Sequence, residues 1–203
     1  MKKLIHVCII VAAISASCNS NSSQSEHHAG MSNMDSMDMQ QNTMAEIDVK
    51  NIPASFTNVD PGVVAFMKSL VQHYLDVKNA LVNSNESEAG SASEKILVDM
   101  RGFDESLLTA EQKKVYDDVE SDLKEHAEHI AKSKVDHQRD HFTMMSEDVY
   151  NLVKAYGAGM PLYHDHCPMY KDGAMWLSET KEIRNPYYGN KMMTCGTTME
   201  MFK

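Results

Sequence analysis

The sequence predicts an all-α fold, a four-helix up-down bundle over residues 57–158 on which a loop-rich Cys/Met/His segment, residues 159–203, packs. Two observations favour the bundle. Apolar residues recur at steps of three and four between residues 58 and 157, without strand-like alternation. Helix start and stop signals divide that range into four helices with short connections. After Gly157 the helical period ends, and Pro, Gly and Asn recur, which predicts loops.

The first two helices have clear boundaries in the sequence. Asp60 is a suitable N-cap and Pro61 a suitable first helical residue, so the first helix begins there and ends near Asn83. The second, weaker helix is predicted over Glu86–Arg101, with a glycine directly after it as the stop signal.

The other two helices follow the same logic. Thr109 and Gln112 have the spacing of a capping box, which predicts the start of the third helix. Ser133 or Asp136 can start the fourth helix, and Gly157 ends it.

The composition limits the classes of function. The net charge of −10 argues against nucleic-acid binding, which needs clustered Lys and Arg to neutralise phosphates. The chain has 17 Met and 10 His, both high counts for 203 residues. Thioethers and imidazoles overlap in their preference for copper-like ions, so the composition favours metal binding.

The N-terminus is typical of an export signal. Lys2 and Lys3 precede a short apolar stretch, and residues 1–17 are predicted to be a signal peptide. Small residues precede Cys18, which resembles a lipobox, so Cys18 is the predicted lipidation site. The alternative is an ordinary cleaved signal that leaves Cys18 as a free thiol. Lipidation predicts a cell-envelope protein, anchored in a membrane and facing the periplasm or the cell surface.

Residues 18–56 are predicted to be a disordered Met/His-rich tether. The stretch has too few apolar residues to offset its ordering entropy. It contains His27, His28 and five spaced methionines, which suit loose capture of Cu(I) or Ag(I). A low-complexity linker without metal is the alternative interpretation. The five methionines are Met31, Met34, Met37, Met39 and Met44.

The C-terminal segment holds the main candidate ligands for a soft metal. Cys167 and Cys195 are the two cysteines of the predicted folded part, and methionines and histidines lie close to both. Thiolates, thioethers and imidazoles are Cu(I) ligands, whereas a disulfide needs no thioethers beside it. A Cys167–Cys195 disulfide and a zinc site remain the alternatives. The candidate ligands are His164, His166, Cys167, Met169, Met192 and Cys195.

Histidines on the predicted helices offer a second possibility. His126 and His129 are three positions apart, and His137 and His141 are four apart, so each pair shares one helix face and can hold a metal. His141 is therefore added to the candidate metal ligands. Hydrogen-bonded core positions are the alternative for His126 and His141.

The C-terminal motifs resemble those of a known family. The strings His166-Cys-Pro-Met169, Asn185-Pro-Tyr187 and Met192-Met-Thr-Cys195 carry the likeness, which covers about residues 58–200. The Cys-Pro-Met and Asn-Pro-Tyr blocks are its specific part. The family is a domain of unknown function, found in exported bacterial lipoproteins and fused to periplasmic adaptor subunits of heavy-metal (copper/silver) RND efflux systems. The resemblance implies a helical domain and a metal-handling context. It points to His166, Cys167, Met169, Met192 and Cys195.

Two functional hypotheses follow. The first is an exported lipoprotein that binds Cu(I) or Ag(I), with zinc as the alternative ion, for periplasmic buffering or delivery to the adaptor or pump of a heavy-metal efflux system. The second is a metal-free helical interaction module of the cell envelope, stapled by a Cys167–Cys195 disulfide. An enzyme is not expected, because no oxyanion-hole or substrate-pocket signature accompanies Cys167 and its neighbouring histidines.

Overall fold

The computed structural model describes residues 49–203. The predicted signal peptide, the lipidation site Cys18 and the Met/His-rich part of the tether lie outside the described residues. Within residues 49–203, no helix combines the length and the hydropathy that a membrane crossing requires.

Four long helices form, close to the predicted positions. They are α1 (Pro61–Val82), α2 (Glu86–Gly102), α3 (Ala110–Lys132) and α4 (Val135–Tyr156), and a 3₁₀ turn, Glu105–Leu107, joins the second to the third. Each helix packs against the next along the chain, and α1 also packs against α4. The predicted helical bundle is therefore present.

The predicted end signals act as expected at most boundaries. Asp60 caps α1, since its carboxylate accepts from the Gly62 N–H at 2.7 Å. Thr109 and Gln112 form both hydrogen bonds of a capping box at the start of α3. Gly157 ends α4 with a φ of 83°, a conformation that favours glycine. The start of α4 differs from the prediction, because Lys134 occupies the N-cap position without a side-chain cap.

The all-α prediction is wrong. A four-stranded mixed sheet accompanies the bundle, in the order β1-β4-β2-β3, with β1 parallel to β4 and the other two pairs antiparallel. Its strands are β1 (Lys50–Ile52), β2 (Leu162–Cys167), β3 (Ala174–Ser178) and β4 (Thr197–Phe202), and a 3₁₀ turn, Gly189–Lys191, lies before β4. β1 falls at the C-terminal end of the predicted tether, so residues 50–52 are part of the folded unit.

The sequence pattern did not predict the strands, for a physical reason. Several residues on β2 and β3 are buried on both faces, so the strands lack the alternation of a half-exposed strand. Phe202 of β4 packs edge-on against Tyr150 of α4, while Trp176 of β3 packs edge-on against Tyr187 of the C-terminal loop. At one edge of the sheet β1 pairs with β4, and nearly the whole described chain separates these strands. No local turn motif predicts such a long-range pairing.

Buried polar groups hold the sheet on the bundle. The Tyr74 hydroxyl of α1 lies 2.8 Å from Ser146 Oγ of α4 and accepts from the Leu177 N–H of β3 at 3.0 Å. The Arg139 guanidinium of α4 donates to the carbonyls of Leu81 and Pro186 at 3.2 and 2.9 Å. Each group bridges two helices and the C-terminal segment, so the segment is fixed by directional bonds as well as by apolar packing.

We expect Arg139→Ala to lower the free energy of unfolding by about 3 kcal/mol, because it empties a large buried site, leaves the buried Pro186 carbonyl without its donor and removes one of the donors to the Leu81 carbonyl. Urea unfolding followed by circular dichroism measures the change. Arg101→Ala is the matched control, since Arg101 is exposed in the last turn of α2, and its loss should cost less than about 0.5 kcal/mol. Similar, small losses in both variants would contradict the bridging role of Arg139.

Candidate metal centre

Four histidines meet where α3 turns back into α4. Only two residues, Ser133 and Lys134, separate these helices, so they pack as an antiparallel hairpin. His126 and His129 lie on the α3 face that meets α4, and His137 and His141 lie on the facing side of α4. The two intrahelical spacings therefore become one cluster of imidazoles near the tight end of the hairpin.

Three of these imidazoles lie close enough together to hold a metal ion. One ring nitrogen from each of His129, His137 and His141 lies within 4.8 Å of the other two. The His137 and His141 Nε2 atoms are 3.1 Å apart, and the His129 ring stacks on the His141 ring at a centroid distance of 4.1 Å. Nitrogens around a tetrahedral ion with bonds of about 2.1 Å lie about 3.4 Å apart, so an ion requires these nitrogens to approach by at most about 1.4 Å.

The environment keeps the central imidazole neutral. Burial, helped by the neighbouring His129 and His137, lowers the pKa of His141 to about 4. A neutral imidazole has a lone pair for a metal, whereas a protonated one has none. His129 and His137 are exposed, which leaves the cluster open to solvent on one side. Glu125, whose carboxylate lies 3.9 Å from His129 Nε2, adds negative charge at that opening.

A partly buried carboxylate, that of Asp148, lies next to His126. Asp148 Oδ2 is 3.9 Å from His126 Nε2. This oxygen is buried and has no hydrogen-bond partner among residues 49–203. Burial, together with the nearby Asp122 and Glu147 carboxylates, raises the pKa of Asp148 to about 7. A cation bound nearby would favour the ionised form of this carboxyl.

The C-terminal cysteines also meet, as both hypotheses for them require. Cys167, at the end of β2, is buried, and Cys195 is half-buried. Both are free thiols, with their Sγ atoms 2.7 Å apart. The hydrogen bond to Cys167 raises the pKa of Cys195, while the Met169 N–H acts in the opposite direction. Such a pair can form a disulfide or offer two sulfurs to a metal.

The other predicted C-terminal ligands lie in different surroundings. His164 is bound to Glu200, with 3.1 Å between its Nδ1 and the carboxylate, and its ring lies against Tyr150. His166 is half-buried beside Gly173, where an added Cβ would lie 2.8 Å from the ring. Met169 and Met192 are exposed at the surface, with 60% and 38% of their area accessible. Among the described residues, the group of His, Cys and acidic side chains that lie close enough together to hold a metal ion is His129, His137 and His141.

Comparison with known families separates the two regions. Residues 70–160 match the family described as protein of unknown function, DUF3347. The DUF3347 match contains all four clustered histidines and Asp148, while Cys167 and Cys195 lie beyond its end. A family of unknown function, expected from the sequence, is thereby supported. No curated protein and no solved structure matches the chain.

Sequence reasoning named His141 as a ligand but left His129 and His137 out of the candidate set. The signal was present, because both pairs have the spacing that places two imidazoles on one helix face. What the sequence did not give was the packing of the two faces against each other. Asp148 was not among the predicted site residues, because nothing in its local sequence distinguishes it from a solvated acid.

We expect the metal-free protein to lose stability as the pH falls from about 6.5 to 4. The unfolded chain takes up a proton at His141 near pH 6.5, whereas the folded protein resists protonation until about 4. Below about pH 4 the stability that neutral His141 contributes to the folded protein is lost. Urea unfolding at successive pH values in the presence of a chelator should show a decrease on the order of 2 kcal/mol from this residue.

His141→Gln should remove that part of the pH dependence, because glutamine does not titrate. His73→Gln is the matched control, since His73 is a partly buried histidine of α1 paired with Asp99, away from the cluster. Unfolding curves of His141→Gln that decline as steeply as those of the unaltered protein would contradict the assignment.

Proposed function

We propose that this chain is a metal-binding protein of the bacterial cell envelope, and that His129, His137 and His141 form its principal site. The observation that carries the proposal is the convergence of three imidazole nitrogens, from two packed helices, within 4.8 Å. The rigid hairpin supplies the support that a preorganised site needs, because the ligands stand on helices rather than on loops.

The ligand chemistry favours a transition metal. Imidazole suits Zn, Cu and Ni, whereas Mg and Ca prefer oxygen ligands. Three ligands leave a coordination position open, which suits an ion that is later passed on. The acidic net charge of −10 attracts cations to the protein in general.

The finer proposal is an exported lipoprotein, anchored through Cys18, that binds Cu(I) or Ag(I) for periplasmic buffering or delivery to a heavy-metal efflux system. The Met/His-rich tether would capture ions, and its thioethers favour these soft ions over zinc. Met169 and Met192, which are exposed and whose backbones contact Cys195, offer thioethers near the paired thiols as a second set of soft ligands. Zinc is the competing ion at the histidine centre.

We expect the His129→Ala, His137→Ala and His141→Ala triple variant to lose affinity for Cu(I) and Zn(II) by at least about 100-fold, because all three imidazole ligands are gone. Competition with a chromophoric chelator under reducing conditions measures the affinity for each ion. The same titration ranks Cu(I), Ag(I) and Zn(II) and so identifies the preferred metal.

Two matched variants locate the site. Cys167→Ser with Cys195→Ser removes the thiols and leaves the histidine cluster, so it should retain the high-affinity site. His73→Gln removes a histidine outside the cluster and should change nothing. If the cysteine variant loses the metal while the histidine variant keeps it, the principal site is the C-terminal one, and the assignment to the histidines is wrong.

A second candidate function has its own observation. The juxtaposed Cys167 and Cys195 favour a disulfide, which would make the chain a stapled interaction module of the envelope. We expect the oxidised protein to be more stable than the reduced protein by about 3 kcal/mol, because the cross-link restricts the unfolded chain. Urea unfolding with and without reductant measures this difference.

Cys195→Ser should unfold at the same urea concentration with and without reductant, since it cannot form the cross-link. The second candidate would be supported, and the first overturned, by two results together. The isolated protein would have an intact 167–195 disulfide, and after treatment with a chelator it would have no affinity for any of the three ions. Intact mass and peptide mapping distinguish these states.

A further inference from the structure

A chain of polar contacts runs inward from the histidine centre. His141 has two ring nitrogens with different neighbours: Nε2 lies 3.1 Å from His137 Nε2, and Nδ1 lies 3.2 Å from His126 Nδ1. The other nitrogen of His126, Nε2, faces Asp148 Oδ2 at 3.9 Å. His126 itself is largely buried, with 12% of its side chain exposed.

The proton count of a neutral imidazole restricts this chain. Each neutral ring has one N–H donor and one lone pair. A metal on His141 Nε2 takes the lone pair there, so the proton of His141 must be on Nδ1. That N–H then donates to His126 Nδ1, which must be the acceptor.

The consequence passes to the next residue. Once Nδ1 of His126 accepts, its proton is on Nε2 and points toward Asp148. Asp148 Oδ2 is the buried oxygen that has no hydrogen-bond partner among the described residues, so it is free to accept. A modest approach from 3.9 Å completes the hydrogen bond.

We propose that His126 and Asp148 are positioning residues of the metal centre: Asp148 fixes the tautomer of His126, and His126 in turn holds His141 with its Nε2 lone pair directed at the metal. This inference rests on the proposed function and deepens it. Outer partners of this kind orient a ligating imidazole and raise its basicity.

The same count argues against a second ion between His126 and Asp148. The contact between the two Nδ1 atoms needs one proton, which belongs to one of the two rings. Metals on both Nε2 atoms would then leave the other ring without any proton, as an imidazolate. The neutral rings therefore support one ion at the outer three histidines, with the inner pair as its support.

Nitrogen-15 NMR of the protein loaded with Zn(II) tests the tautomers directly. We expect the His141 proton on Nδ1 and the His126 proton on Nε2. A His126 proton on Nδ1 in the loaded protein would overturn the proposal, whatever the variants do.

Paired variants test the energetic effect. His126→Leu removes the acceptor and should weaken Zn(II) binding by about 10- to 100-fold. His126→Asn places a carbonyl oxygen near the Nδ1 position and should restore most of that loss. Asp148→Leu should weaken binding, and Asp148→Asn, which keeps an acceptor oxygen, should weaken it less. Equal losses in the Leu and Asn variants would mean that packing matters rather than the acceptor, and would overturn the proposal.

The failure of this inference is distinguishable from that of the proposed function. If the unaltered protein binds none of Cu(I), Ag(I) and Zn(II), or binds them equally after loss of His129, His137 and His141, the metal centre itself is wrong. If the unaltered protein binds through those three histidines and His126→Leu binds as tightly, only the positioning role is wrong. Circular dichroism and thermal unfolding of each variant confirm that folded proteins are compared.

Discussion

The antiparallel packing of α3 against α4 is the constraint on which the candidate site and much of the fold depend. The two-residue connection favours antiparallel packing of these helices, and that packing turns two pairs of histidines into one cluster. Helix α4 also contacts other parts of the fold. The polar atoms of Arg139, Ser146 and Tyr150 bind either α1 or the C-terminal segment. The histidine cluster and the sheet are therefore built on the same helix.

The cluster is a costly arrangement for a protein without a ligand. Three of its imidazoles crowd around His141, whose charged form is disfavoured by burial and by its neighbours. Asp148 lies behind them with a buried oxygen that lacks a partner in the described part of the chain. Partly satisfied buried polar groups destabilise a fold, so their concentration here is more typical of a functional site than of a scaffold.

The histidine cluster and the thiol pair offer different chemistries. Imidazoles on a rigid hairpin suit ions of intermediate softness, whereas paired sulfurs beside exposed methionines suit Cu(I) and Ag(I) or a disulfide. The DUF3347 match ends before the thiols and includes the histidines. A hydrogen bond nevertheless links residues next to both regions: Tyr170, three residues after Cys167, donates to Asp140, which lies one turn beyond His137 on α4.

The sequence by itself determined the four helices and most of their ends, because caps such as Asp60, Thr109 and Gly157 act through bonds to residues only a few positions away. It also determined that His126 with His129, and His137 with His141, share helix faces. Only the tertiary structure decided that those faces meet, that Asp148 lies behind them, and that residues 50–52 pair with β4. Such contacts join residues far apart in the chain, and their energies depend on packing that local patterns do not encode.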